Sequence, residues 1–444
     1  MNHPHILLVC QSVQGNLNPS IQLATNLTCA GARVTIATPV SGFHKLKSQT
    51  PSNQNISFAS FSDGHDDDAN AILNPGYVDD VRNFGSKTLK ALIQNLSEKG
   101  DYVNLVIYTL FLPFAAGVAR ELHVPSALFL IQSATLFWIY NQFCNSRDGI
   151  AILNDEIVDD SFWLELKGVT VFKYNDLPTF VLPTSPYFKD MVYVYQSHIK
   201  FLEEDPKSIV LVNSLDGLEP ESMKTIKNAV VVGPLVGSTC LNKDRGSYFE
   251  WLDTKKEKSV VYVSFGSLAV LTKSQKVEVL YGLIESGKPF LMVLRDECDE
   301  EDVEIKGLKE RIGENGLIVK WCSQMEVLRH RAIGCFVTHC GWNSTLESMV
   351  AGVAIVGCPQ FSDQATNAKM VDEVWGNGVR AVVDENMVVG RDEIKRCLEV
   401  VMDGGDRAVG IREKVEKWKK VADESVKDGG CSMVNLKVFV ESIV

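Results

Sequence analysis

Short apolar runs recur along the chain, each followed by a stretch of helical spacing, and this alternation restarts once after a polar interval. His5-Ile-Leu-Leu-Val-Cys10 reads as a first buried strand. A Gln14-Gly-Asn-Leu-Asn-Pro19 loop follows, with Asn18 placed to cap a helix and Pro19 at its first position. That helix is expected to run to about Ala30, where Gly31 stops it, and Arg33 to Thr38 alternates into a second strand. Leu105 to Tyr108, a helix after Pro113, and Ser126 to Leu130 repeat the scheme. The rhythm loosens over 145–200, returns at Ile209 to Asn213, and closes its first cycle at Val230-Val-Val-Gly-Pro-Leu235.

The second cycle has strands at Val260–Phe265, Pro289–Leu294, Leu317–Lys320, Cys335–Thr338 and Ile355–Cys358, with a helix over Lys273–Gly287. Strands alternating with helices predict the α/β class and doubly wound parallel sheets. A chain of 444 residues exceeds one ordinary core. We therefore expect a first domain over 1–235, a polar linker over 236–250 and a second domain from 251, with a ligand cleft between them.

Composition narrows the function classes. The net charge of -12 lacks the basic stripe of a nucleic-acid binder. Eleven cysteines show no paired spacing, and Cys10, Cys335 and Cys358 sit in apolar runs, as buried thiols do in a reducing compartment. Ile6 to Cys10 is too short for a signal peptide, and no apolar run spans a membrane. A cytoplasmic, monomeric protein is expected, in which the Asn-x-Ser/Thr triplets at Asn26, Asn55, Asn95 and Asn343 carry no glycan.

Candidate chemistry lies where loops leave the carboxyl ends of second-cycle strands, the place ligands bind in open parallel sheets. Phe265-Gly-Ser267 offers a hydroxyl and open backbone, Trp321-Cys-Ser-Gln324 a flat ring, and His339-Cys-Gly-Trp-Asn-Ser-Thr345 a helix start. That helix, read as Ser344 to Val350 before Gly352, would present free N–H groups to a phosphate. Glu347, one turn in, suits paired ribose hydroxyls, and Asp363-Gln364 suit sugar hydroxyls. Each residue alone is ordinary; a lone Trp321 is more often core. Gly282-Leu-Ile-Glu-Ser-Gly-Lys288 imitates a phosphate loop, but Pro289 follows and the stretch ends a helix, so it reads as a stop. Asp66-Asp-Asp68 reads as a solvated loop, and no metal is expected.

Together, Trp321, Gln324, His339, Trp342, Asn343, Ser344, Glu347, Asp363 and Gln364 resemble the signature box of plant secondary-product UDP-glycosyltransferases, family 1, of GT-B fold. Gly233-Pro-Leu235, Tyr262-Val-Ser-Phe-Gly-Ser267 and Asn367-Ala-Lys369 extend the likeness across the chain. Phe61-Ser-Asp-Gly64, Val106-Ile-Tyr-Thr109 and Pro359 to Gln364 resemble the subgroup of anthocyanin 5-O-glucosyltransferases and related phenolic or ester-forming enzymes. The resemblance implies two Rossmann-like domains, with an acceptor-binding 1–235 and a UDP-sugar-binding 251–425. A C-terminal helix over 426–444, in the helical stretch from Val415 with Trp418, would return to the first domain.

By the same resemblance Trp321 stacks on uracil and Glu347 holds ribose. His339, Asn343, Ser344 and Ser267 bind the diphosphate, and Trp342, Asp363 and Gln364 the sugar. UDP-glucose is then a co-substrate, with no further cofactor, and the partner is a small hydrophobic acceptor. Ala354 and Phe361 stand where Pro and Trp are usual.

The acceptor side departs from the family. Its general-base histidine belongs at position 16, and this chain has Asn16; the aspartate that orients it in many relatives is Thr109 here. A carboxamide accepts no proton at useful pH. Three readings stand: an acceptor already ionised and positioned by Asn16; another base, of which His65 is the best placed; or a catalytically impaired nucleotide-sugar-binding protein. Phe111, Phe114, Phe129, Phe137, Trp138 and Tyr140 read first as core and second as an aromatic acceptor pocket.

Overall fold

The computed structural model describes residues 3–49, 53–68, 71–74, 76–145, 162–182, 184–237, 246–295 and 303–443. They fall into two compact units, Met1–Gly237 with Asp423–Val444, and Ser238–Ala422.

Unit 1 is built on strands β1 (His5–Val9), β2 (Arg33–Pro39), β3 (Ile56–Phe61), β4 (Leu105–Thr109) and β5 (Ser126–Leu130). A small antiparallel hairpin, β6 (Trp163–Leu166) and β7 (Thr170–Lys173), precedes β8 (Ile209–Val212) and β9 (Ala229–Val231). The sheet order is β3-β2-β1-β4-β5-β8-β9, with every pairing parallel. Every residue of β1 is buried, because helices cover both faces of such a sheet and select continuous apolar runs. The order turns back between β1 and β4, where Val9 pairs Tyr108. That point is where a ligand crevice forms in this architecture.

Helix α1 (Gln14–Cys29) begins earlier than its sequence suggests. Val13, not Asn18, precedes it, and Val13 O accepts the N–H groups of Asn16 and Leu17, both at 2.9 Å. Pro19 sits inside the helix. Leu17, Leu23 and Leu27 lie in the core with Ile6 and Leu8, so apolar burial starts the helix where no side-chain cap does. The helix Cys431–Glu441 adds Leu436, Phe439 and Val440 to that core. Ser432 Oγ donates to Gly233 O, and Asn435 Nδ2 donates to Val231 O at 2.9 Å.

Unit 2 carries β10 (Val260–Ser264), β11 (Phe290–Val293), β12 (Gly316–Val319), β13 (Ile333–Thr338), β14 (Ala354–Gly357) and β15 (Gly378–Arg380). Their order is β12-β11-β10-β13-β14-β15, again all parallel. Here the order turns between β10 and β13. The helix Lys273–Ser286 is capped by Thr272, whose side chain accepts from Gln275 N, and ends at Gly287 with φ 67°. The phosphate-loop imitation is thus a helix C-terminus.

Packing defines two further stretches. Part of the stretch expected as linker over 236–250 is helical: Ser247–Asp253 buries Tyr248, Phe249 and Leu252 against Val260 and Tyr262. These apolar positions outweigh the polar composition that suggested a linker, of which 238–245 lies outside the described residues. Trp418, in the helix Asp406–Ser425, belongs to unit 2, where its indole N–H donates to Trp375 O at 3.0 Å. Among the described residues, no helix is long and apolar enough to cross a membrane.

Candidate functional site

In unit 2 the pairing of Ser264 with Thr338 brings the loops after β10 and β13 out side by side. His339 lies between two glycines there. A Cβ on Gly266 would fall 2.5 Å from its Cε1, and one on Gly341 would fall 2.7 Å from its Nε2. Gly266 also has φ +77°, a conformation side chains disfavour. Burial pushes the His339 imidazole down to about 4, so at neutral pH the ring is an uncharged hydrogen-bonding group. Thr338 Oγ1 lies 3.3 Å from its Nδ1. Ser267 is exposed, and its carbonyl accepts from Arg295 Nη1 at 2.9 Å. Arg295 brings a cation to this edge that the sequence reading missed.

The next helix spans Trp342–Ala351, two residues earlier than expected, with extended Gly341 before it and no side-chain cap. The Trp342 ring fixes this start by packing inward, 3% exposed and 5.8 Å from the Trp375 ring. Asn343 and Ser344 therefore occupy its first turn, whose N–H groups and dipole favour an anion. Gln324 knits the site together. Its Nε2 donates to Ser344 Oγ at 2.9 Å and to Glu347 Oε2 at 2.6 Å, while its Oε1 accepts from Tyr262 Oη at 3.2 Å. Burial pushes the Glu347 carboxyl up to about 7, against the pull of Gln324. Trp321, at the end of β12, is 46% exposed, which core packing does not explain.

Asp363 and Gln364 are buried after β14. Burial raises the Asp363 carboxyl. Asn367 Nδ2 donates to Asp363 Oδ2 at 2.7 Å and to Cys340 O at 3.0 Å, tying this loop to the one after β13. Gln364 Oε1 accepts the N–H groups of Gln360 at 2.8 Å and Phe361 at 3.1 Å, so it shapes its own loop.

In unit 1, Asn16 lies in the first turn of α1 and Thr109 at the end of β4, the two elements beside the turning point. Both are buried, and Asn16 Oδ1 and Thr109 Oγ1 have no hydrogen-bond partner. An unsatisfied buried polar atom is costly and marks a place that requires explanation. His65 Nε2 lies 3.0 Å from Asp80 Oδ2, while Asp66, Asp67 and Asp68 are exposed.

Two groups escaped the sequence reading. His198 is fully buried, its ring stacked on Tyr108 and its Nε2 2.5 Å from Leu110 O. Gln11, Asp63 and Tyr77 form a second cluster after β1 and β3; the polar Gln11 directly after an apolar strand was its only signal. Of the aromatics, Phe114, Phe129, Phe137 and Tyr140 are buried. Tyr140 also lines an apolar pocket with Phe143, Phe180, Phe188, Met191 and Tyr195.

Residues 185–407 match the family model described as UDP-glucoronosyl and UDP-glucosyl transferase. UDP-glycosyltransferase 75C1 of Solanum lycopersicum is 42% identical, over 99% of this chain and 98% of its own length. Anthocyanidin 3-O-glucoside 5-O-glucosyltransferase of Verbena hybrida is 40% identical over 100% of both. Among solved structures, Os79 from O. sativa in complex with UDP superimposes with a TM-score of 0.84 at 32% identity, covering 99% of this chain and 100% of that one. Its fold is GT-B, with two Rossmann-like domains.

Proposed function

The chain belongs to the UDP-glucoronosyl and UDP-glucosyl transferase family, and from that premise we propose that it transfers glucose from UDP-glucose, with inversion, to a small phenolic or carboxylic acceptor. It is a glycosyltransferase of the plant type that acts on small metabolites. The observation that carries the donor assignment is Gln324 Nε2 bridging Ser344 Oγ and Glu347 Oε2. One amide thereby sets a first-turn hydroxyl and a carboxylate in fixed relation, as binding a ribose joined to a diphosphate demands. Glu347, raised by burial, is stabilised as a carboxylate when two ribose hydroxyls donate to it.

Trp321 stacks on the uracil. Ser267, His339, Asn343 and Ser344 receive the diphosphate, while Asp363 and Gln364 hold the sugar. Trp342 contributes through its backbone and through its packing. As the anomeric C–O bond to UDP breaks, charge grows on the leaving phosphate, and the neutral His339 and the helix N-terminus stabilise it without reorganising. The acceptor oxygen forms its bond from the opposite face in the same step.

Unit 1 supplies the acceptor side. Asn16 positions the nucleophile and removes no proton, so an ionised carboxylate or an acidic phenol is the acceptor it serves best. The Verbena hybrida relative is named for an anthocyanidin glucoside, which supports a phenol. A second reading, a protein that binds UDP-glucose without transfer, is favoured by Asn16 alone. Incubation with UDP-glucose and a panel of phenols and carboxylic acids, following UDP release and glucoside formation, separates the two. Transfer to neither class by protein that binds UDP-glucose overturns the first.

A further inference from the structure

Around Gln11 one phenol proton faces two oxygens. The Tyr77 hydroxyl lies 2.7 Å from Asp63 Oδ2 and 3.2 Å from Gln11 Oε1, two acceptors for one donor. A phenol carries one proton, and the shorter contact, to a carboxyl oxygen, takes it. Burial holds Tyr77 in its protonated form, so the donor is always present. The Gln11 contact is then completed from the other side, by the amide NH2 donating to the phenol oxygen. The two ends of a glutamine amide are assigned by such networks and not by their positions. The opposite end, Nε2, is buried and has no partner; with the amide turned so that its NH2 donates to the phenol, the carbonyl oxygen takes that unpartnered place.

That end is not isolated. Gln11 is 1% exposed and lies two residues beyond the end of β1. Asn16 Oδ1, Thr38 Oγ1 and Thr109 Oγ1 are likewise buried without partners. They stand in the first turn of α1 and at the carboxyl ends of β2 and β4, the strands paired to β1 on either side. Four unsatisfied polar atoms gather at one edge of one sheet, around its turning point. Buried polar atoms are ordinarily paired, and these four share one edge.

We propose that Gln11, locked by Tyr77 and Asp63, is a specificity-determining residue that accepts a hydrogen bond from a second hydroxyl of a polyhydroxylated acceptor. The nucleophilic oxygen goes to Asn16, and Gln11 reads a neighbouring O–H. An acceptor lacking that hydroxyl leaves the amide oxygen unpaired on binding, which is how a polar site rejects a deoxy analogue. The inference rests on unit 1 binding the acceptor.

The test measures binding, so that it does not depend on turnover. Pairs of flavonoids that share one skeleton and differ by a single hydroxyl are titrated calorimetrically into the UDP-bound full chain. The wild-type protein is expected to prefer the hydroxylated member of one pair by roughly tenfold. In Gln11→Leu that preference vanishes, while affinity for the deoxy member and for UDP stays within twofold. Tyr77→Phe, which frees the amide to turn, weakens the same preference and serves where Gln11→Leu fails to fold. A preference unchanged in both variants, or a uniform loss for every phenol, overturns the inference and assigns the amide to a structural role. Turnover of UDP-glucose on the same proteins reports separately: absence of transfer with the binding preference intact sinks the proposed reaction and leaves Gln11 in place.

Discussion

The imidazole of His339 lies so close to the backbone of Gly266 that a Cβ there would come within 2.6 Å of Nε2. The glycine sets the ring's position as much as β13 does. Gly266→Ala is expected to displace the ring from the leaving phosphate and lower kcat by about 10²–10³-fold, the cost of one preorganised donor. Its φ of +77° adds strain of about 1–3 kcal/mol. Steady-state kinetics together with a melting curve checks both. A variant with normal kcat would separate His339 from the leaving-group step.

If Glu347 holds the ribose as proposed, donor binding should be sensitive to pH. Its carboxyl rises from 4.5 to about 7 in the folded protein. Between those values the folded chain holds a proton that the unfolded chain has released, so this group's stabilising contribution is complete below about pH 4.5 and is lost as pH rises through about 7. Hydroxyl donors from ribose favour the carboxylate and expel that proton. UDP binding is therefore expected to release a proton near pH 7, measurable by calorimetry in buffers of different ionisation enthalpy. Glu347→Gln should abolish that release and flatten the stability slope over the same range.

Trp418 stabilises unit 2 at a distance from the reacting atoms. Its N–H reaches Trp375 O at 3.0 Å, and the Trp375 ring packs on Trp342. Trp418→Phe removes that buried hydrogen bond, at a cost of about 0.5–1.5 kcal/mol. Urea unfolding should show that loss, with UDP affinity changed less than twofold.

The strands were legible because helices cover both faces of each sheet, so β1, β10 and β13 appear as unbroken apolar runs. Helix starts were not. Neither α1 nor the helix Trp342–Ala351 has a side-chain cap; their starts are set by packed residues inside the first turn, Leu17 in the one and Trp342 in the other. The helix Ser247–Asp253 was hidden for a related reason, since Tyr248, Phe249 and Leu252 are buried among polar neighbours. The loops that carry Ser267, Trp321 and His339 followed from strand-end logic, but the Gln324 bridge depends on side-chain direction, which periodicity does not encode. The Gln11, Asp63 and Tyr77 cluster joins residues from three distant segments and is invisible to any local pattern. His65, the sequence's best substitute base, lies with Nε2 3.0 Å from Asp80 Oδ2.

That leaves Asn16 as the place where the chemistry is decided. Its Oδ1 and the Oγ1 of Thr109 are buried and unpartnered, so a group with a proton to exchange finds hydrogen-bonding capacity there and no base. Asn16→His supplies one. If the acceptor is a phenol that is mostly protonated at neutral pH, kcat/KM should rise toward the 10²–10⁴-fold that general-base catalysis contributes, and the gain should fall away at acid pH as the new imidazole protonates. Thr109→Asp added to it should raise the rate further by orienting the ring. For a carboxylic acceptor the same substitution gains nothing, because the nucleophile arrives ionised. Kinetics with both acceptor classes across pH 5–9 distinguish these outcomes. Equal gains for both would show that Asn16 limits something other than proton removal.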